Sequence, residues 1–404
     1  MNVLVLNAGS NSLKFEVIAV ESNITTPDQG KKLVSGIIEG IGGDAVLAQL
    51  SGKEVIHKQQ ITAQDYKDAT ERALEWLNSG QAPGVSSLDN IDIVGHRVVH
   101  GADKFSASVL IDEEVIAQIE ELEELAPLHN KPAVNVMRAA RDKFDLSINQ
   151  IAVFDTVFHR NIPEYAQLYA IPPELSERYK IRRYGFHGIS HQYMMMRYAK
   201  ITNRPYEEIK IITLHLESGC SATAISGGKS VDTSMGFTPL EGLVMGKRCG
   251  DIDPAIVGYL ARKEQTDIGE IENWLNKKSG LLGLSGLSHD TRVLMKEFDN
   301  NERVRLAIDV FCYRIQKYIG AYLSVLGGAE AIVFGGGIGE NTLKVREKVC
   351  KAFEWCGLKL DSERNEQTID IEGCISTQDS SLGAYVIPVE EGLMIALEAT
   401  RTKT

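Results

Sequence analysis

A chain of 404 residues, 43% apolar and 24% charged, carries enough apolar side chains for one large core or two of ordinary domain size, and two domains are expected. Its formal net charge of -12 has no basic stretch set against it, which excludes an electrostatic case for nucleic acid or anionic lipid as partner; any anionic ligand must be held locally. The apolar run at residues 3–6 is too short for a signal segment, and nothing approaches the roughly 20 apolar residues that span a bilayer, so neither secretion nor a membrane partner is expected.

In chain order, residues 3–6 form a short β-type run. A polar segment, 7–12, follows, and residues 13–20 resume a β-branched apolar pattern, so a hairpin with a polar tip is predicted. Residues 91–95, 151–154, 209–214 and 331–334 read as buried strands, each ending at a polar or Gly-rich turn. Helical periodicity over 113–125, 131–143, 303–326 and 342–355 makes the class α/β, with a soft domain boundary near residue 150. The methionines at 194–196 read as core or interface filler, and residues 120–124 as a solvated helix face. The cysteines Cys220, Cys249, Cys312, Cys350, Cys356 and Cys374 show no C-x-x-C pair, which indicates neither zinc nor a disulfide framework and fits a reducing cytoplasm.

Chemistry concentrates in turns that follow apolar strands, where backbone N–H groups can approach phosphate without steric hindrance. Residues 7–14 offer hydroxyls, amides and Lys14; residues 214–221 lie between two strand-like runs. Each reads equally as a plain hairpin turn. Residues 335–341 follow a strand and open a helix, but lack the Gly-Lys-Ser/Thr of a Walker A loop and the phase of a dinucleotide fingerprint. Arg and His flanked by glycine recur at 95–101, 182–188 and 246–254. Any one is compatible with a surface loop; three beside three candidate phosphate cradles suit a site that neutralises a transferring phosphoryl group.

Residues 7–14, 95–101, 154–159, 184–188, 231–242 and 337–341 together resemble the acetate kinase family in order and spacing, and the resemblance runs from end to end. It implies a two-domain actin-like (ribonuclease H-like) kinase fold, shared with sugar kinases, actin and heat-shock chaperone ATPases, with the active site in the interdomain cleft. The domains would be 1–150, completed by a C-terminal helix at 389–404, and 151–388, which binds nucleotide and dimerises. A cytoplasmic homodimer is implied, acting with Mg2+ (Mn2+ as a substitute) to move a phosphoryl group reversibly between ATP and acetate, giving acetyl phosphate and ADP.

The same resemblance carries residue roles. Asn7 and Glu391 would hold the metal. Lys14, Ser10, Ser12, the segment His215, Leu216, Glu217, Ser218 and Gly219, the segment Asp290, Thr291 and Arg292, and the segment Gly337, Ile338, Gly339, Glu340 and Asn341 would contact ATP. Arg97 would bind the carboxylate, and Val99, Leu128, Phe186 and Pro239 would enclose its methyl group. His187 and Arg248 would stabilise the transition state, and Asp155 stands where the family places a proton donor or acceptor. A carboxylic acid with a pKa of about 4 to 5 is already ionised at neutral pH, so Asp155 is better read as an organiser of Arg97, of a metal-bound water or of the incoming carboxylate; a strand-end cap with Thr156 is the bland reading.

The chain departs from the family where His-Leu-Gly-Asn-Gly becomes His215-Leu216-Glu217-Ser218-Gly219, which puts a carboxylate beside the expected polyphosphate. Lys247, Cys249 and His289 are smaller departures, and Val389-Glu390-Glu391-Gly392 differs from the usual run before the metal residue. An ATP-dependent acetate kinase is the first reading. A relative using propionate or pyrophosphate is the second, and a nucleotide-responsive binding protein without turnover the third. The intact set Arg97, Asp155, His187 and Arg248 argues against the third.

Overall fold

The computed structural model describes residues 1–404 except Ser10, Ser22, Lys53, Pro127, Leu128, Leu146 and Thr404, with backbone alone for Lys403. Ser10 and Leu128, both expected in the site, thus lie outside the described residues. The chain divides into two units, Met1–Val157 with Glu390–Thr404, and Phe158–Val389. The division falls after Val157, and the strand at 149–154, which pairs in parallel with that at 93–98, belongs to the first sheet.

In the first unit the described residues form an eight-stranded sheet: β1 (Asn2–Ala8), β2 (Ser12–Ala19), β3 (Lys31–Glu39), β4 (Gly43–Ser51), β5 (Glu54–Ala63), β6 (Ile93–Val98), β7 (Val109–Leu110) and β8 (Asn149–Phe154), in the order β5-β4-β3-β2-β1-β6-β8-β7. Strand β1 is central and buried on both faces: Val3, Leu4, Val5 and Leu6 are each at most 2% exposed. Side chains alternate between faces along a strand. Leu4 and Leu6 point into a core with Leu13, Phe15, Val17, Leu74, Leu77, Val94 and Val136, roofed by the helices Tyr66–Asn78 and Asn130–Lys143. The opposite face is covered by the helix Glu391–Lys403, which contacts β1, β6 and β8. It approaches so closely that a Cβ on Gly95 would stand 2.9 Å from Ile395 Cγ2.

The predicted hairpin is β1–β2, with Asn7 opposite Lys14 and the tip closed by Gly9 N–H donating to Ser12 O at 2.8 Å. The Tyr66 hydroxyl donates to Gly9 O at 2.6 Å and ties the tip to the helix that follows β5. The meander β3–β5 was not expected from the sequence. Its outer strand β5 is exposed along nearly its whole length, so it shows no apolar alternation to read.

The second unit holds a six-stranded sheet among the described residues: β9 (Lys210–Leu216), β10 (Cys220–Ser226), β11 (Lys229–Thr233), β12 (Ala331–Gly335), β13 (Gly373–Cys374) and β14 (Gly383–Val386), in the order β11-β10-β9-β12-β14-β13. Strands β9 and β12 are parallel, with Gly335 opposite His215, so the turn after β9 and the helix Gly336–Asn341 after β12 leave the sheet at the same edge. The helix Glu302–Leu326 packs on β9 and β10, and the helix Gly188–Thr202 on β9 and β12. Met194, Met195 and Met196 are buried in the latter, the filler role read from the sequence.

Candidate active site

At the carboxyl ends of β6 and β8 and the start of the helix Glu391–Lys403, the first unit gathers Asn7, Arg97, Asp155 and Glu391. Arg97 sits at the end of β6 and is gripped in the two-pronged geometry natural to a guanidinium and a carboxylate: Nε donates to Asp155 Oδ1 at 3.0 Å and Nη2 to Oδ2 at 2.7 Å. Its Nη1 donates to Glu391 Oε2 at 3.1 Å and to Asn7 Oδ1 at 3.4 Å, while Asn7 Nδ2 donates to the same Glu391 oxygen at 3.1 Å. Asp155 is 1% exposed at its side chain and Arg97 16%, so neither charge is tolerable there without the other. Asn7 Oδ1 and a Glu391 carboxylate oxygen thus stand side by side at this guanidinium. Lys14 lies on the exposed face of β2 opposite Asn7, Ser12 opens β2, and Val99 is buried just beyond β6.

In the second unit several segments converge on Gly219. A Cβ on that glycine would stand 3.3 Å from His187 Cε1, 3.4 Å from His187 Nε2 and 3.5 Å from Arg248 Nη1, so the imidazole and the guanidinium face the same small space. His187 precedes the helix Gly188–Thr202 at φ +56°, a left-handed conformation that a non-glycine residue holds only under local constraint. The constraint is visible: its Nδ1 lies 2.8 Å from Ser221 Oγ on β10. His215, at the end of β9, has its ring centroid 4.4 Å from that of His187.

Arg248 has no carboxylate partner among the described residues; its Nη1 donates to Pro239 O at 3.0 Å and touches Met245 Sδ at 3.6 Å. Burial pulls its pKa below the ordinary arginine value, only partly opposed by the neighbouring Cys220 thiol, which marks a cation short of an anion. The loop carrying it is fixed from below: Leu281 and Leu282, at the start of the helix Gly280–Ser285, donate to Met245 O and Gly246 O, and Ser279 N–H donates to Lys247 O. Gly246 N–H donates to Ser218 O at 3.1 Å, and a Cβ on Gly246 would meet Ser218 O at 3.3 Å and His289 O at 3.4 Å, which brings the 215–219 turn and the approach to Asp290 together. Gly336, at φ +75°, lies so near β9 that a Cβ would fall 2.7 Å from Leu216 O; only glycine permits this contact of the two phosphate-type loops.

Other expected residues are placed as follows. Glu217 is half exposed, with Oε2 3.7 Å from His215 Nε2. Asp290 caps the helix Thr291–Glu297 and also holds Arg292 in a bidentate pair, which lowers its pKa, while the Arg292 side chain is 88% exposed and Thr291 is buried. Gly337, Ile338 and Gly339 form the body of the short helix after β12, whose Asn341 Nδ2 donates back to Gly337 O. Glu340 turns inward, accepting Val389 N–H at 3.0 Å, so its side chain serves the fold at this position. Phe186 is buried and Pro239 half-buried in the second unit.

Sequence reasoning missed two arginines. Arg183 donates through Nη1 to Thr233 O at 3.0 Å and Met235 O at 3.2 Å, and through Nη2 to Glu241 Oε1 at 2.7 Å, and so shapes the loop that presents Pro239. Arg346 is fully buried and donates to Asn365 Oδ1, Gly339 O, Glu340 O, Asn365 O and Thr368 O, all within 2.9 Å. Arg183 stood within a noted cluster of arginines; nothing near Arg346 in the sequence, where a lysine-rich helix was read, signals burial.

A family model described as the acetokinase family matches residues 2–397. The chain belongs to the acetokinase family. Among similar proteins, an acetate kinase of Solibacter usitatus is 47% identical over 99% of this chain and 98% of its own length. An acetate kinase of Chloroherpeton thalassium is 46% identical over 99% of both. The crystal structure of Porphyromonas gingivalis acetate kinase matches with a TM-score of 0.91 at 39% identity over 100% of both chains, and that of a propionate kinase from Francisella tularensis with 0.88 at 37% over 99% of both. As an acetokinase the chain is a phosphotransferase with a carboxyl group as acceptor, and its two units are those of the actin-like two-domain fold.

Proposed function

We propose that the chain performs the acetate kinase reaction, reversible transfer of the γ-phosphoryl group of ATP to acetate, with the two clusters in distinct roles. The observation that carries this reading is the pairing of Arg248, a half-buried cation without a carboxylate, with the His187 imidazole around Gly219. Acetate needs no base at neutral pH, its pKa being about 4 to 5. Its oxygen attacks the γ-phosphorus in line; the bond from that phosphorus to the β–γ bridging oxygen breaks, ADP leaves with the electron pair, and acetyl phosphate forms. Arg248 and His187 donate to the γ-phosphoryl oxygens as charge spreads over them, and Arg97 orients the acceptor carboxylate while Asp155 fixes the plane of its guanidinium. The turn 215–219 and the segments 290–292 and 337–341 take the nucleotide. Val99 narrows the acceptor pocket and favours acetate over propionate.

The cluster at Asn7 and Glu391 fits a hard divalent cation: the Asn7 amide oxygen and the Glu391 carboxylate are hard oxygen ligands, and Mg2+ is commonly held by one or two carboxylates together with phosphate oxygens and water. Mg2+ there would supply charge neutralisation to the β- and γ-phosphates. A cytoplasmic homodimer completes the reading. It is supported by the exposed Tyr165, Leu168, Leu175 and Tyr179 in the second unit and by six free cysteines among the described residues.

The test is a hydroxamate assay of purified protein with acetate or propionate, offering ATP, GTP or pyrophosphate in parallel. ATP with acetate should give the highest kcat/KM, dependent on Mg2+. Arg248→Ala should lose turnover by orders of magnitude while keeping a native melting profile. Pyrophosphate as the preferred donor, or near-normal turnover in that variant, would overturn the reading.

A further inference from the structure

Behind His187 runs a buried chain of hydrogen-bonding side chains that none of the roles above uses. Ser221 Oγ lies 2.8 Å from His187 Nδ1 and 2.8 Å from His191 Nε2, and His191 Nδ1 lies 2.8 Å from Thr213 Oγ1. Ser221, His191 and Thr213 are each 0% exposed. We propose that Thr213, His191 and Ser221 are positioning residues, a one-way proton-donor chain that fixes His187 as the tautomer carrying its hydrogen on Nε2, the atom facing Gly219 and Arg248. This rests on the reading of His187 as the phosphoryl-stabilising imidazole.

The direction follows from counting hydrogens. A hydroxyl has one hydrogen to donate, and a neutral imidazole has one N–H and one bare nitrogen. Burial, with His159 and His215 nearby, holds the His191 pKa well below its ordinary value, so His191 has a single N–H to place. If that N–H sat on Nδ1 it would donate to Thr213, whose own hydroxyl hydrogen would then be left in the core, since Thr213 Oγ1 has no second partner among the described residues. A buried donor without an acceptor is costly, because its lost hydration goes uncompensated.

In the other direction every hydrogen is used. Thr213 O–H donates to His191 Nδ1, His191 Nε2–H donates to Ser221 Oγ, and Ser221 O–H donates to His187 Nδ1. Ser221 Oγ likewise has no third partner among the described residues to receive its hydrogen. His187 Nδ1 is therefore an acceptor, and a neutral His187 carries its hydrogen on Nε2, directed at developing phosphoryl charge. The opposite tautomer would present a bare lone pair there and repel it. Among the groups facing His187 from neighbouring elements are the His215 ring and the Arg248 guanidinium.

The test combines histidine 15N spectra of the full chain with steady-state kinetics. The wild-type His187 should show a protonated Nε2 and an unprotonated Nδ1. Ser221→Ala should mix the tautomers and lower kcat about tenfold or more, with KM for ATP and acetate changed less than twofold; Ser221→Thr, which keeps the hydroxyl, should restore both. Thr213→Val, nearly isosteric, should mix the tautomers with a smaller fall in kcat and guards against a Ser221→Ala protein that fails to fold. A wild-type His187 protonated on Nδ1, or unchanged tautomer and kcat in Ser221→Ala and Thr213→Val, overturns the proposal. His187→Ala separates the two levels: wild-type turnover there would sink the site reading, whereas its loss beside normal Ser221→Ala activity would sink the relay alone.

Discussion

Arg97, Arg183 and Arg248 differ in what faces them, and that difference sets what each can do. Arg97 and Arg183 are held by carboxylates, Asp155 with Glu391 and Glu241 respectively, so their orientation is fixed before any ligand arrives. Among the described residues Arg248 is steadied by a carbonyl and a sulfur, and in the proposed reading its charge meets an incoming anion. On the proposed reading Glu217 works against such an anion. Its carboxylate leans toward His215 at 3.7 Å, and at the turn proposed to take the nucleotide a negative charge opposes a polyphosphate. The double variant Glu217→Gly, Ser218→Asn should therefore lower KM for ATP several-fold to about tenfold and leave KM for acetate unchanged, because Arg97 and Val99, which take the acceptor in the proposed reading, lie in the other unit. Unchanged or weaker ATP affinity would show that Glu217 has a use in donor selection.

The short helix Gly336–Asn341 cannot hold itself, since six residues are too few to satisfy their own end groups. Arg346 does this from beneath, placing a cation on the carbonyls of Gly339 and Glu340 and binding the same guanidinium to Asn365 and Thr368. Burial lowers its pKa to about 10, far enough above neutral pH for the charge to persist. Arg346→Met should leave those buried carbonyls unpaired, cost roughly 2–4 kcal/mol, lower the thermal midpoint by several degrees and raise KM for ATP. A melting profile within a degree of wild type would contradict the clamp. Five strands and two long helices were legible because β1, β8 and β12 carry uninterrupted apolar runs, β6 and β9 shorter ones, and the helices 130–143 and 302–326 a clear period. The β3–β5 meander was not, for its stability comes from cross-strand pairing that leaves β5 polar. Residues at strand ends, such as Asn7, Arg97 and Asp155, could be nominated from sequence, but which carboxylate holds which guanidinium is set by the order of parallel strands and was visible only in the fold.

At the scale of the whole molecule, three of the five buried histidines among the described residues are held neutral by burial: His96 and His159, whose pKa values it lowers to about 4, and His191, lowered well below its ordinary value. The unfolded chain takes up protons on all three near pH 6.5 while the folded chain does not, so their stability contribution is complete above that pH and is lost as pH falls toward 4. Each contributes a slope of about 1.4 kcal/mol per pH unit inside the window. Urea midpoints should be level between pH 7 and 8 and drop steeply between pH 6.5 and 5, before most carboxylates titrate; a level profile down to pH 5 would refute this. A different consequence follows from the helix Glu391–Lys403, which closes one face of the first sheet although Phe158–Val389 intervene. A ribosome delivers residues in order, so the sheet must wait, one apolar face wet, until the entire second unit has been made. The wet interval is longest for Gly95 and the neighbouring residues of β6 and β8, which the final helix covers. Chaperone capture of nascent chains should therefore persist until residue 403 has left the exit tunnel, and released chains truncated after residue 389 should present a folded second unit beside a first unit that proteases still cut.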